Sequence, residues 1–111
     1  MEEIIYDTSY LIDLYKKGTR KLTGFTTILN IVEFPKALEF SDLKIIYPTK
    51  EDYLTAIRIM KDLMVKGKPI PAIDAIISAI ALNRKMTIKT KDEHFLLIKE
   101  IKHELKVAIK K

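Results

Sequence analysis

Short apolar runs alternate with longer amphipathic segments along the whole chain. The short runs are rich in isoleucine and other β-prone residues, and they occupy residues 3–6, 21–25, 43–47, 87–90 and 105–109. Segments whose apolar residues recur at helical spacing occupy residues 10–17, a stretch from 28 onward, 49–66, 72–83 and 92–103. This order predicts an α/β fold, a three-layer α/β/α sandwich around a mainly parallel sheet of roughly five strands.

The predicted helix boundaries carry capping and breaking residues. Gly18 suits the left-handed cap that ends the first helix, and the pair Thr26-Thr27 can cap the second helix. Pro35 is expected to kink or restart that second helix. Thr49 is placed to cap the long third helix. Asp52 follows three residues later, where its carboxylate can accept the backbone N–H of the capping threonine.

Composition and charge narrow the function classes. Lys and Arg number 20 against 15 Asp and Glu, and the net charge of +5 favours a polyanionic partner. The absence of cysteine excludes disulfide scaffolds, thiolate metal sites and cysteine nucleophiles. The first residues lack the basic stretch and apolar core of a secretion signal, and Asp74 interrupts the longest apolar tract, so no membrane segment is expected. One cytoplasmic domain spanning residues 1–111 is therefore expected.

Four carboxylates stand beside apolar runs in this otherwise basic chain: Asp7, Glu33, Asp74 and Asp92. Asp7 and Asp92 follow predicted strands, and open parallel sheets bind ligands outside the carboxyl ends of their strands. Like charges a few Å apart repel by roughly 4 kcal/mol per pair at an effective dielectric of about 20, so a cluster would favour a bound divalent cation. Asn30 precedes Glu33 by one helical turn and is expected to support it.

Ordinary structural roles stay open for these acids taken singly. Asp7 and Asp92 could be helix caps, and Asp74 could favour a helix N-terminus through the helix dipole. His94 and His103 match no zinc signature, so they are expected at the surface or at helix ends.

Four segments resemble the acidic motifs of PIN-domain ribonucleases, most closely those of the small toxin-type (VapC-like) members. The segments are IIYDTS at 4–9, TILNIVE at 27–33, IDAIISA at 73–79 and TKDEHF at 90–95. The resemblance covers nearly the whole chain in the family's order and implies a PIN-like fold. It also implies metal-dependent hydrolysis of RNA phosphodiester bonds, a homodimer and, as a partner, the antitoxin of a toxin–antitoxin pair.

By this resemblance, four catalytic carboxylates would hold one or two Mg²⁺ or Mn²⁺ ions: Asp7, Glu33, Asp74 and Asp92. Thr8 and Thr90 would support or orient them. Oxygen ligands suit these hard cations. A divalent cation lowers the pKa of the water it holds and stabilises charge on phosphate, so no protein nucleophile is required. Lysines beside the acids are expected to contact flanking phosphates, namely Lys68, Lys89 and Lys91.

The chain departs from the toxin pattern in the short segment after Glu33. Toxin-type relatives often build a longer helical pair there, which helps to form the dimer surface and the groove for the antitoxin. Exposed Leu, Ile or Phe side chains on the early helices would then make the dimer contact of this chain.

Two other functions stay open. One is a catalytically inactive PIN-like module that binds RNA or protein. The other is a phosphate-accepting receiver domain, which also carries acids and Mg²⁺ at the carboxyl edge of a parallel sheet. A receiver resembles this chain less, because it places paired acids after its first strand, whereas Asp7 is followed by Thr8 and Ser9.

Overall fold

The computed structural model describes residues 2–110, which form five strands and five α-helices. The strands are β1 (Ile4–Tyr6), β2 (Lys21–Thr27), β3 (Ser41–Ile46), β4 (Thr87–Thr90) and β5 (Lys106–Ile109). The helices are α1 (Thr8–Lys16), α2 (Ile28–Glu33), α3 (Lys50–Val65), α4 (Ala72–Arg84) and α5 (His94–Ile101), and a 3-10 turn at Pro35–Glu39 follows α2. None of the helices in this part of the chain is long and apolar enough to cross a membrane.

The strands form one parallel sheet in the order β3-β2-β1-β4-β5. β1 is central, because Ile5 pairs with Phe25 of β2 on one side and with Ile88 of β4 on the other. The predicted parallel, five-stranded sheet is confirmed. Receiver domains have the strand order 2-1-3-4-5, so the observed order excludes the receiver hypothesis.

Helices cover both faces of the sheet because successive side chains of a strand point to opposite faces. Ile5 of β1 belongs to a core with α3, α4 and α5, in which Ile59, Ile77 and Phe95 are fully buried. Tyr6, the next residue, belongs to the second core with α1, α2 and the 3-10 turn. The predicted three-layer α/β/α sandwich is confirmed.

Local sequence signals explain several helix ends. Thr49 and Asp52 form a reciprocal capping box at the start of α3, as the sequence predicts. Thr27 and Asn30 form a second capping box at the start of α2. Pro35 follows the end of α2, and the chain restarts there as the 3-10 turn, which agrees with the expected restart.

Several predicted boundaries differ from the observed ones, and two of these differences have a clear local cause. β2 does not end at Phe25 but continues to Thr27, because its last residues still pair with β3, up to Thr27 with Ile46. The last helix begins at His94 rather than at Asp92. The Asp92 carboxylate accepts the backbone N–H of His94 at 2.9 Å and so holds a turn ahead of the helix.

Candidate active site

The C-terminal edge of the sheet carries the four predicted acids. Asp7 directly follows β1, and Asp92 lies in the turn after β4. Glu33 is the last residue of α2, which directly follows β2. Asp74 lies in the first turn of α4, a helix that must run back along the sheet to reach the parallel strand β4. Residues that are far apart in sequence therefore meet at one edge.

Asp7 is buried, with 5% of its surface exposed, and three side chains hold its carboxylate. Oδ2 accepts hydrogen bonds from Thr90 Oγ1 at 2.8 Å and from Ser9 Oγ at 3.2 Å. Oδ1 accepts from Asn30 Nδ2 at 3.1 Å. Burial raises the pKa of Asp7, the bonds from Thr90 and Ser9 oppose the rise, and the charge of Asp92 adds to it. Asp7 occupies the N-cap position of α1, but among residues 2–110 its side chain makes no capping bond.

Two further hydrogen bonds connect Asp7 to Glu33. Asn30 Nδ2 also donates to Thr8 Oγ1 at 2.9 Å, and Thr8 Oγ1 donates to Glu33 Oε1 at 2.7 Å. The Asn30 side chain is fixed from its other end, because its Oδ1 accepts from the hydroxyl of Thr27 at 2.7 Å. Asn30 is fully buried whereas Glu33 is exposed. Asn30 therefore supports Asp7 directly and reaches Glu33 only through Thr8.

Thr90 joins the first and fourth strands of the chain at this edge. Its hydroxyl donates to Asp7 and accepts the backbone N–H of Asp92 at 2.9 Å. Ser9 Oγ lies 3.1 Å from the same hydroxyl and accepts the backbone N–H of Lys91 at 3.0 Å. Thr90 thus fixes the position of Asp7 relative to the turn that carries Asp92.

Asp74 is buried without a hydrogen bond to its Oδ2 atom from any described residue. His94 Nδ1 lies 3.3 Å from Oδ2 but is not aligned to donate to it. Burial, followed by the negative charges of Asp7 and Asp92, raises the pKa of Asp74 to about 6, and contact with His94 opposes the rise. The site therefore contains a carboxylate that the surrounding described residues leave electrostatically uncompensated.

A second buried aspartate, Asp52, shows what a purely structural carboxylate looks like in this fold. Asp52 is 1% exposed, forms an ion pair with Arg84 at 3.0 Å, and accepts hydrogen bonds from Thr49 and Asn83. Burial opposes its ionisation, but the bonds from these partners outweigh burial and lower the pKa of Asp52. The opposite direction of the Asp74 pKa shift therefore reflects missing partners and not burial alone.

His94 also belongs to this edge, although its sequence context matched no zinc signature. It is the first residue of α5, and its Nδ1 lies 3.2 Å from Asp92 Oδ1 and 3.3 Å from Asp74 Oδ2. About half of the side chain is exposed, so the expected surface position at a helix end is confirmed. The contact with two acids was missed because it depends on the packing of α4 against α5.

No protein-family model and no curated protein matches the sequence. Solved structures match the fold. DNA-bound VapBC from Salmonella typhimurium superimposes with a TM-score of 0.80 at 16% identity, covering 98% of each chain. VapBC-5 from Mycobacterium tuberculosis, a member of the VapBC family of toxin-antitoxin systems, gives 0.75 at 15% identity, covering 99% of this chain and 100% of that one. VapBC-1 from nontypeable Haemophilus influenzae gives 0.72 at 16% identity, covering 96% of each. This chain has the PIN-like fold.

The donor set at the edge of the PIN-like fold fits a divalent cation. One ligand atom from each of three residues lies within 4.8 Å of the others: Asp74, Asp92 and His94. The buried Asp74 Oδ2, which no residue in 2–110 satisfies by a hydrogen bond, points to the same place. Carboxylate oxygens suit Mg²⁺ and Mn²⁺, and imidazole nitrogen suits transition metals. Asp7 and Glu33 lie outside this group of three. Thr90 hydrogen-bonds Asp7 and the backbone of Asp92, and the charge of Asp7 raises the pKa of Asp74. Glu33 accepts a hydrogen bond from Thr8.

Two of the three lysines predicted to contact phosphates have carboxylate partners in the PIN-like fold. Lys68 Nζ lies 2.9 Å from Glu100 Oε2, and Lys91 Nζ lies 3.4 Å from Asp13 Oδ1. Lys89, on β4, is half-buried. Any phosphate contact by Lys68 or Lys91 would therefore compete with an existing surface ion pair, which is a weak competitor.

Proposed function

We propose that the protein is a metal-dependent ribonuclease that hydrolyses RNA phosphodiester bonds and acts as the toxin of a toxin–antitoxin pair. The fold supports this proposal, because VapBC-5, a member of the VapBC family of toxin–antitoxin systems, and DNA-bound VapBC share it. The acids at the C-terminal edge of the sheet support it independently, because that edge is where open parallel sheets bind ligands. The RNA substrate and the cytoplasmic location stay predictions.

One observation carries the proposal. The buried Asp74 Oδ2, without a hydrogen bond from the described chain, stands in the field of Asp7 and Asp92, which raises the pKa of Asp74. A stable fold gains nothing from an uncompensated buried carboxylate, and Asp52 shows that this fold can compensate one. A bound cation would supply the missing partner, because its attraction to the carboxylates would replace the repulsion among them.

The residues that would hold the ion or ions and carry the reaction are Asp7, Glu33, Asp74 and Asp92. When bound, Mg²⁺ or Mn²⁺ supplies activation of water and neutralisation of charge on the phosphate. The protein's part is positioning. Thr90 and Asn30 fix the two oxygens of Asp7, and Thr8 orients the exposed Glu33. These hydrogen bonds hold the acids in position against their mutual repulsion.

A cleavage assay on the purified protein tests the proposal. A mixed single-stranded RNA should be cut in Mg²⁺ or Mn²⁺, should survive in excess chelator, and should be cut again when the metal is restored. Uncut RNA in every metal, together with salt-dependent RNA binding, would establish the inactive binding module instead.

Thr90→Val tests the proposed positioning role of the threonine hydroxyl. Valine keeps the shape of the side chain but removes the donor to Asp7 and the acceptor for the Asp92 N–H. We expect RNA cleavage to fall about 10- to 100-fold and the free energy of unfolding to fall by about 1–2 kcal/mol. Single-turnover cleavage rates and urea titrations measure the two effects.

Thr87→Val is the matched control for this experiment. Thr87 lies in the same strand and is also buried, but its hydroxyl has no hydrogen-bond partner in the described residues. Valine at this position should leave cleavage unchanged and should not lower stability. Equal cleavage by the Thr90 and Thr87 variants would contradict the positioning role.

A protein partner is the second part of the proposal. An apolar groove of about 370 Å³ runs between α3 and α4, and its lining includes Tyr53, Ile57, Met60, Met64 and Ile76. Soluble monomers rarely expose large contiguous apolar patches. We assign this groove, rather than the early helices that the sequence favoured, to the contact between two copies of the chain. The antitoxin is proposed from the comparison structures alone.

Ile57→Lys tests the dimer contact. Ile57 is 52% exposed on α3, so lysine at this position costs the fold little. We expect the wild-type protein to sediment as a dimer and the variant as a monomer, because a buried unpaired charge at an interface is costly. Leu38→Lys is the comparison, since Leu38 is 64% exposed on the opposite layer, beside the early helices. This variant should stay dimeric, and a dimer lost in Leu38→Lys but kept in Ile57→Lys would place the contact on the early helices instead. A monomeric wild type would contradict the assignment.

A further inference from the structure

The imidazole of His94 stands between two carboxylates. Its Nδ1 atom lies 3.2 Å from Asp92 Oδ1 and 3.3 Å from Asp74 Oδ2. A ring nitrogen carries at most one hydrogen, so Nδ1 can donate to only one of these oxygens at a time. The Asp74 oxygen remains without a hydrogen bond from any residue of 2–110. The three atoms therefore do not form a self-satisfied hydrogen-bond network.

We propose that His94 is a nitrogen ligand of the metal site and that it makes the site prefer Mn²⁺ to Mg²⁺. This inference rests on the proposed function, because it assigns a ligand and a metal preference to the same site. It adds a histidine to a ligand set that the sequence resemblance described as purely carboxylate.

The three ligand atoms lie within 4.8 Å of one another, and the two separations from Nδ1 suit a shared ion. Ligand atoms about 2.1 Å from one ion stand about 3.0 Å apart at right angles and about 3.4 Å apart in a tetrahedron. The observed separations from Nδ1 to the two carboxylates, 3.2 and 3.3 Å, fall between these values. His94 and the two acids therefore need little movement to bind together.

The backbone fixes the imidazole in this place. The N–H of His94 donates to Asp92 Oδ1 at 2.9 Å, which ties the start of α5 to the turn that carries the acid. Phe95, the next residue, is fully buried in the core with α3 and α4. The position of Nδ1 is thus set by packing and by a main-chain bond, even though the ring itself is half-exposed.

The metal preference follows from the nitrogen donor. Mg²⁺ is a hard cation that binds oxygen and keeps several waters, whereas imidazole is a better ligand for transition metals. A site of carboxylates alone would discriminate weakly between Mg²⁺ and Mn²⁺. Replacing one oxygen by Nδ1 of His94 should shift the ratio of affinities toward Mn²⁺.

Pulsed EPR of the full-length protein loaded with Mn²⁺ tests the assignment, together with Mn²⁺ and Mg²⁺ affinities from calorimetry. The wild type should show hyperfine coupling to an imidazole nitrogen. His94→Gln should lose that coupling and bind Mn²⁺ about tenfold more weakly, with a much smaller change for Mg²⁺. His103→Gln, which removes the other histidine of the chain, should retain the coupling and both affinities.

His94→Asp provides a second variant, because it exchanges the nitrogen for an oxygen. It should bind Mg²⁺ at least as tightly as the wild type while losing the preference for Mn²⁺. Mn²⁺ bound by the wild type without nitrogen coupling, or bound equally by His94→Gln, would overturn the assignment while metal-dependent RNA cleavage still stood. A wild type that binds neither ion would overturn this assignment and the proposed function together.

Discussion

Asp74→Asn should abolish metal-dependent RNA cleavage and at the same time make the metal-free protein more stable. Cleavage should fall by more than about 100-fold, because losing a ligand costs more than losing a residue that only supports one. Stability should rise because asparagine removes a buried charge that faces Asp7 and Asp92. The pKa shift of Asp74 to about 6, discounted for partial contact with solvent, corresponds to about 1–2 kcal/mol. Cleavage rates and thermal unfolding at pH 7.5 measure the two effects.

Asp52→Asn is the matched control, since it makes the same chemical change at a buried aspartate in the same layer. Asp52 has the partners that Asp74 lacks, so its neutral variant leaves Arg84 without an ion pair. This variant should unfold at a lower temperature and still cut RNA. A loss of stability in both variants would show that Asp74 is not an uncompensated carboxylate. Cleavage by Asp74→Asn at the wild-type rate would show that Asp74 is not a metal ligand.

Mn²⁺ should stabilise the wild type strongly at pH 7.5 and much less at pH 5. At a free concentration of 100 times the dissociation constant, a ligand of the native state adds about 2.7 kcal/mol to the free energy of unfolding. Binding requires an ionised Asp74, and the pKa of about 6 places its protonation in this range. One pH unit below that pKa, protonation of Asp74 alone weakens binding about tenfold.

Without metal, the pH dependence of the same carboxylate has the opposite sign. The folded state holds the Asp74 proton more tightly than the unfolded state, in which Asp74 has the ordinary aspartate pKa of 3.8. Asp74 therefore opposes folding least below about pH 4, and stability falls as the pH rises through about 6. The stability difference between Asp74→Asn and the wild type should grow over this interval. Thermal unfolding at several pH values, with Mn²⁺ or with chelator, measures both trends, and a Mn²⁺ effect equal at pH 5 and 7.5 would contradict them.

The element order was predictable because it depends on local signals. The apolar run at Thr87–Thr90 and the capping box of Thr49 and Asp52 both lie where the sequence predicts them. The order of the strands was not predictable, because it depends on which strands pair across long stretches of chain. The first helix begins at Thr8 rather than Tyr10, since Asp7 already has the extended backbone of an N-cap.

The acids of the site were identifiable from sequence, whereas their individual environments were not. Asp74 and Asp52 are both acids near the start of a helix, and only tertiary contacts distinguish their pKa shifts. His94 was missed as a neighbour of Asp74 because the two residues lie on different helices. Asn30 was expected beside Glu33 by helical spacing, but its amide turns to Asp7 and Thr8.

The hydrogen bond from Thr90 to Asp7 joins residues 83 positions apart, so the site can be complete only late in the synthesis of the chain. The ribosome synthesises the chain from its N-terminus, so Asp7 and Glu33 emerge well before Asp74 and Asp92. β4 must also insert beside β1 before the acids can share an ion. On the proposed function, a growing chain would therefore have no complete site for RNA cleavage until β4 has paired with β1.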